Sequence, residues 1–486
     1  MKLSAAEFAP DQSALSGFID SLLNALPYSQ NSYGPVGTLG EVGNALTLQC
    51  KGAWSGRGTD GTVVNFAFDA NDAYLWNGTS FNVVTQSATT YSCAPEDGWN
   101  VVQFGNEALA FNGTDDMQTW TIGTSTLFDV RTATSGTAPV CKYGAVIRDF
   151  FVTANISGAK NRVQWPDINS TQAWNAGQAS SQDLPAGGPI TGIVGGEYGT
   201  IFCETAIWTQ TYVGTPDIFQ FDLISLERGC DIPGSIAAYQ GSVFFHAPDG
   251  FWLLQGGGSP VPIGSKKIDR WFNERVDRSS LEAVRSIVDP ISKRYYIAYP
   301  TLADGSGRNT AVLVYDFSLE RWAPVSISID MIFSARTSLG TTLEGLDALY
   351  PDLDTMPLSL DSPEFTGSQE QTLAVFTQNK KMAFFGSTPM TAYIDTVEGE
   401  PFGPYQSFVQ GLRPMVEGNS PTISARVGTR QRLNDSITYG SYVTQNAQGR
   451  IPFRRQGRYA KAEFKLEGQW TEFSGCDVEA KQAGRR

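Results

Sequence analysis

The sequence predicts an all-β protein: a β-propeller with an N-terminal arm and a C-terminal β platform-type unit. Three observations point there. Gly supplies 50 of 486 residues, above the usual ~7%. Aromatic residues make up 12% and charged residues only 17%. A turn-rich, aromatic-rich chain favours many short strands over long helices. Finally, one unit recurs at roughly 40 to 50 residues, the spacing of propeller blades. It consists of an apolar strand, a polar turn and a second strand ending in an aromatic.

The first clear unit is "VVNFAFDANDAYLWNGTSFNVVT", from Val63 to Thr85. "WNVVQFGNEALAFNGTDDMQTWTI" follows with the same grammar. So do "DFFVTANISGAKNRVQWPD", "GTIFCETAIWTQTYVG", "GSVFFHAPDGFWLLQGG", "KRYYIAYPTLADGSGRNTAVLVYDFSLERWAPV" and "KKMAFFGSTPMTAYIDT". A blade packs both faces on its neighbours, so its inner strands read as unbroken apolar runs. Closing the ring removes the exposed edges of so many short strands. Asn77-Gly78-Thr79 and Asn112-Gly113-Thr114 read as turns rather than glycosylation sites, as do Asp249-Gly250 and Asp304-Gly305.

Three segments depart from this rhythm. Residues 1–35 read as an arm, with a short helical candidate at Ala14–Leu26, docking on a neighbouring subunit or on the chain's own C-terminal region. Thr337 to Gln371, acidic and rich in Leu and Pro, reads as an insertion in the propeller region 36–396. Residues 397–486 read as a separate β unit for docking, where arginines gather in an otherwise acidic chain.

Composition narrows the function. The formal charge of −14 argues against a broad basic face that grips phosphates. An acidic wall would instead let DNA pass without sticking. The six cysteines stand singly without C-x-x-C, so no zinc ribbon or redox motif is supported, and buried free thiols are expected. Met1-Lys2 leads into a mixed, Asp-containing segment, so no signal peptide is expected. No run of ~18 apolar residues predicts a transmembrane helix. No P-loop occurs, and "QGGGSP" joins two β-like segments. His246 is the only histidine; no partner exists for a zinc pair, and its place at a strand end reads as structural. Sialidase-like propellers carry Ser-x-Asp-x-Gly-x-x-Trp boxes; the nearest match, "SGAKNRVQW", lacks the Asp. A propeller that binds or cleaves glycans with paired acids is the alternative reading. No catalytic residue, metal site or cofactor is assigned.

The segment "ISLERGCDIPGSIAAYQGSVFFHAPDGFWLLQGGGSPVPIGSKKIDRWF" and the ending "GRYAKAEFKLEGQWTEFSGCDVEA" resemble the tail nozzle (tail tube, hub or stabilisation) proteins of short-tailed bacteriophages. The opening "FAPDQ…NALP" is similar in style. The resemblance implies a structural, non-enzymatic virion protein in the phage tail, assembled in the host cytoplasm. It implies a homo-hexameric ring below the head–tail adaptor, with tail fibres or spikes as further partners and no membrane insertion. Double-stranded DNA would pass through without tight binding. Channel-lining candidates are Glu344, Asp347, Asp352 and Asp354. Docking candidates are Arg426, Arg430, Arg454, Arg455 and Arg458, within a set that also holds Arg432 and Arg450.

Overall fold

The computed structural model describes residues 2–336, 352, 356, 371–403 and 405–484. Seven four-stranded antiparallel sheets form a seven-bladed propeller. Blade 1 contains Gly52–Arg57, Val63–Phe68, Ala73–Trp76 and Phe81–Val83; blade 2 starts at Asn100–Phe104, blade 3 at Cys141–Ile147 and blade 4 at Ile190–Val194. Blade 5 starts at Ala237–Tyr239 and blade 6 at Arg285–Asp289. Blade 7 joins Ile329–Arg336, Gln371–Thr377 and Met382–Pro389 to Gly37–Val42. An early strand thus closes the last blade, fastening the two ends of the ring. First strands of successive blades neighbour one another round the axis.

Second strands are the buried ones. Every residue of Gly199–Cys203 is buried, and nearly all of Phe150–Ile156. This double-faced burial is what the unbroken apolar runs anticipate. Aromatic rings bridge the blades. Phe66 of blade 1 lies 5.1 Å from Trp120 of blade 2, Phe202 of blade 4 lies 5.0 Å from Phe245 of blade 5, and Phe81 of blade 1 lies 5.4 Å from Phe376 of blade 7. The aromatic content is therefore the mortar between blades.

The turn dipeptides behave as their chemistry dictates. Asn77 Oδ1 accepts from the N–H groups of Thr79 and Ser80, and Asn112 Oδ1 from those of Thr114 and Asp115. Gly78 and Gly113 take φ of +99° and +82°, a region glycine enters without penalty. All six cysteines are free and buried.

The remaining strands form one ten-stranded sheet. Its spine is Ser407–Arg430 paired antiparallel with Tyr459–Gln482, each 24 residues long. At ~3.3 Å per residue such a ribbon spans roughly 80 Å. Register shifts near Val409, Met415 and Gly418 bend the long ribbon and sharpen its twist locally. Lys2–Ser4 and Ala392–Asp395 pair with Tyr459–Gln482, and Leu22–Leu23 extends the sheet beyond Ala392–Asp395.

Two expectations change here. The helical candidate Ala14–Leu26 is not helical: Leu15 and Asn24 have φ of +67° and +58°, and strands run over Leu22–Leu23 and Ala25–Ser29. Leu22, Ala25 and Leu26 gain more by packing in the shared core of arm, blade 6 and C-terminal sheet than an isolated turn of helix offers. The last repeat unit, "KKMAFFGSTPMTAYIDT", is not a blade hairpin. Its first strand is the third of blade 7, and its second, Ala392–Asp395, lies before the boundary at 396 yet belongs to the C-terminal sheet. The described residues contain one α-helix, the five-residue Asp269–Asn273, and no helix long and apolar enough to cross a membrane.

Candidate docking site

The long hairpin gathers the arginines, and its strand register decides which of them remain free. Arg426 and Glu463 sit opposite each other on the two long strands. Arg426 Nη2 donates to Glu463 Oε2 at 2.8 Å, and its guanidinium lies 4.5 Å from the centre of the Tyr439 ring and 4.9 Å from that of Tyr442. The bond to Glu463 holds its pKa above the ordinary arginine value. Arg430 is paired with Glu398, and Arg458 with Glu400 at 3.2 Å. Arg413 and Arg450 converge on Glu479 at 2.9 and 2.7 Å, which keeps that carboxyl below its usual range.

Three arginines are left over. Arg432, Arg454 and Arg455 form no ion pair among the described residues; Arg432 and Arg454 are exposed and Arg455 is half-buried. Arg454 and Arg455 lie on Ile451–Gly457, which pairs only with Ser407–Arg430 and so forms an edge of the sheet. Pro452, without an N–H, and the two charges guard this edge against indiscriminate strand addition. Beside it lies a shallow concavity of about 480 Å³ lined by Phe408, Gln410, Arg450, Pro452, Phe453 and Arg454. The docking candidates therefore divide. Arg426, Arg430 and Arg458 brace the unit internally; Arg454 is exposed, and Arg455, half-buried, lays its guanidinium against Gly440. Sequence could not separate them, because the carboxylates that claim the first three lie 32 to 58 positions away.

Of the channel-lining candidates, Glu344, Asp347 and Asp354 lie outside the described residues, as does most of the Thr337–Gln371 insertion. Asp352 is exposed.

His246 lies on Ser242–Ala247 of blade 5 with no accessible surface. Its Nδ1 is 2.7 Å from Asp231 Oδ1, its ring packs on Phe251 and Phe272, and its backbone N–H donates to Ser235 Oγ. Nε2 is buried without a partner. A ring so enclosed offers nothing to a substrate. Next to it, Asp269 accepts the Phe251 N–H at 3.0 Å, and burial pushes its carboxyl up to about 6. A Cβ on Gly264 would stand 2.0 Å from Asp269 Oδ1, so only glycine lets this carboxylate tuck in. His246→Ala is expected to cost about 2–4 kcal/mol in urea unfolding, by opening a cavity and stranding Asp231. The variant should still assemble as the parent does. Assembly lost from a folded variant would give His246 a role beyond packing.

No protein-family model and no curated protein matches the chain. Many solved structures are similar, among them the following three. The WD40 domain of Neurospora crassa Pan2 shares 8% identity at a TM-score of 0.38, over 71% of this chain and 94% of that one. The extracellular domain of the one-component system BT4673 from B. thetaiotaomicron shares 10% identity at a TM-score of 0.41, over 86% of this chain; the chain spans 46% of that structure's length. YCF48, bound to a D1 peptide, shares 10% identity at a TM-score of 0.36, over 64% of this chain and 93% of that one. At these identities the likeness is one of fold. The seven blades stand on the strand pairing itself.

Proposed function

We propose that the chain is a structural subunit of a phage tail, six copies of which form a nozzle below the head–tail adaptor. The ring closes the channel and conducts double-stranded DNA during ejection. What supports this reading is the exposed Arg454 and the half-buried Arg455, neither in an ion pair among the described residues, on an open sheet edge of an otherwise acidic chain. Residues 397–486 hold 13 Lys and Arg against 9 Asp and Glu, whereas residues 1–396 hold 22 against 40. A basic edge on one copy and an acidic propeller on the next make a head-to-tail contact, which closes into a ring when the rotation allows. The acidic excess also suits a passage for DNA, since a basic lining would bind phosphates and add friction. Tail fibres or spikes would attach outside this ring.

The test is charge reversal at the edge. In the double variant Arg454→Glu/Arg455→Glu, association between copies, read by mass photometry, should weaken about tenfold or more. The far-UV spectrum should not change, because neither side chain is enclosed. Rings as abundant as in the parent would remove this edge from the interface.

A further inference from the structure

The propeller axis holds a cavity of about 530 Å³, within the ~300–1,000 Å³ typical of small-molecule sites. Its walls come from the first strands of blades 1, 3, 6 and 7 and from the segments entering blades 2, 5 and 6.

One charge dominates it. Arg285, the first residue of blade 6, reaches the segment that enters blade 2: a Cβ on Gly98 would lie 2.8 Å from its Nη2. Its Nη1 donates to the carbonyls of Glu282 and Val284 at 2.6 and 2.7 Å. No carboxylate forms an ion pair with it among the described residues. The nearby candidates are engaged elsewhere or face out. Asp97 is paired with Lys142, Asp330 is held by Arg308 at 2.6 Å, and Glu96 and Glu282 are exposed. A second cation lies behind the loop: Lys51 Nζ donates to the carbonyls of Ala94, Pro95 and Asp97 and likewise has no ion pair. Burial pushes both pKa values down, and the Arg285 charge adds to the push on Lys51. A guanidinium keeps its proton regardless. Two like charges thus sit near each other, partly desolvated and hydrogen-bonded to carbonyls, with the carboxylates of Glu96, Asp97 and Glu282 nearby but none in an ion pair with either among the described residues. The cavity also contains Ser55, whose buried hydroxyl has no hydrogen-bond partner. Trp54, Ile287 and Ile332 supply apolar wall beside it.

We propose that this axial cavity is a binding site for a small organic anion, with a carboxylate on Arg285 and a planar or apolar body against Trp54, Ile287 and Ile332. The anion would supply the missing counter-charge through charge-assisted hydrogen bonds, which are the stronger kind and are bidentate when made by arginine. The shape and the charge belong to one chain, so the site does not depend on ring assembly.

Calorimetry on the full chain tests it with benzoate, neutral benzamide and inorganic phosphate. Benzoate should bind with a Kd of about 1 mM or below, benzamide about tenfold more weakly, and phosphate should displace benzoate. Arg285→Gln should weaken benzoate about tenfold or more. Glu282→Gln removes an exposed rim carboxylate with little threat to folding, and should strengthen benzoate binding. Equal binding of benzoate and benzamide would overturn the proposal. So would absence of binding by both anions, or a benzoate affinity unchanged in both Glu282→Gln and a folded Arg285→Gln.

Discussion

A chain lacking residues 2–42 is expected to lose the closed propeller, expose its apolar interior and aggregate. Gly37–Val42 is the fourth strand of blade 7, with Val42 opposite Met382 and Leu39 opposite Phe385. Glu41 Oε1 also accepts from Thr377 Oγ1 at 2.7 Å and Asn379 Nδ2 at 2.8 Å. Without this strand, blade 7 presents an open edge and the ring has no fastening between its ends. Removing residues 2–30 alone should behave differently. It strips Lys2–Ser4 and Leu22–Leu23 from the C-terminal sheet, together with the Asp11 contacts to Arg270 and Trp271. The closing strand stays, so the blades should remain folded while the C-terminal sheet loosens. Limited proteolysis distinguishes the two truncations. A Δ2–42 chain as resistant as the parent would mean that the ring closes by other contacts.

The second large effect is expected at Lys461. This lysine is buried, with Nζ 2.8 Å from Asp395 Oδ2 and 2.7 Å from Asp20 Oδ1. It ties the arm and the strand Ala392–Asp395 to the long hairpin. Lys461→Ala would leave Asp395, only 2% exposed, without its counter-charge. Breaking a buried pair from one side costs about 3–5 kcal/mol. Burial already pushes the Asp395 carboxyl up to about 7 against the opposing pull of Lys461; the variant should push it further. An aspartate whose folded pKa exceeds its unfolded value of ~3.9 favours the fold while protonated, and that contribution fades as pH rises through the folded pKa. The variant should therefore lose less stability near pH 5 than near pH 8. Replacing both partners with apolar residues, Lys461→Met/Asp395→Leu, should recover much of the loss. Urea unfolding at the two pH values checks this, and equal losses at both would contradict it.

Much of the propeller was legible because the second and third strands of each blade are doubly buried or end in aromatics. "SVFFHA" and "FWLLQ" declare themselves as strands by composition alone. First strands were harder to read. "GAWSGR" and "RSIVD" line the axis, half-buried and partly polar, so they show neither an apolar run nor clean alternation. The strands of residues 2–35 are two to five residues long; Ala25–Ser29 and Ser32–Pro35 pair with each other, but Lys2–Ser4 and Leu22–Leu23 owe their conformation to partners hundreds of positions away. Local propensity carries no trace of such pairing. The hairpin of 24-residue strands was hidden for a related reason: its central residues, Glu417 to Ser420, are exposed and include Gly418, which reads as a turn. At the docking face the arginines were visible in the sequence, but their separation into paired and free ones was not. At the axis Arg285 gave no signal at all, because its distinction is the absence of a carboxylate from a three-dimensional neighbourhood.

Mass photometry of the 52.7 kDa chain mixed with purified head–tail adaptor rings, at low salt, is the sharpest test of the proposed ring. The added mass should equal six copies per adaptor ring, with occupancy falling as salt screens the basic edge. A chain that stays a 52.7 kDa monomer at every concentration and adds nothing to the adaptor would contradict it.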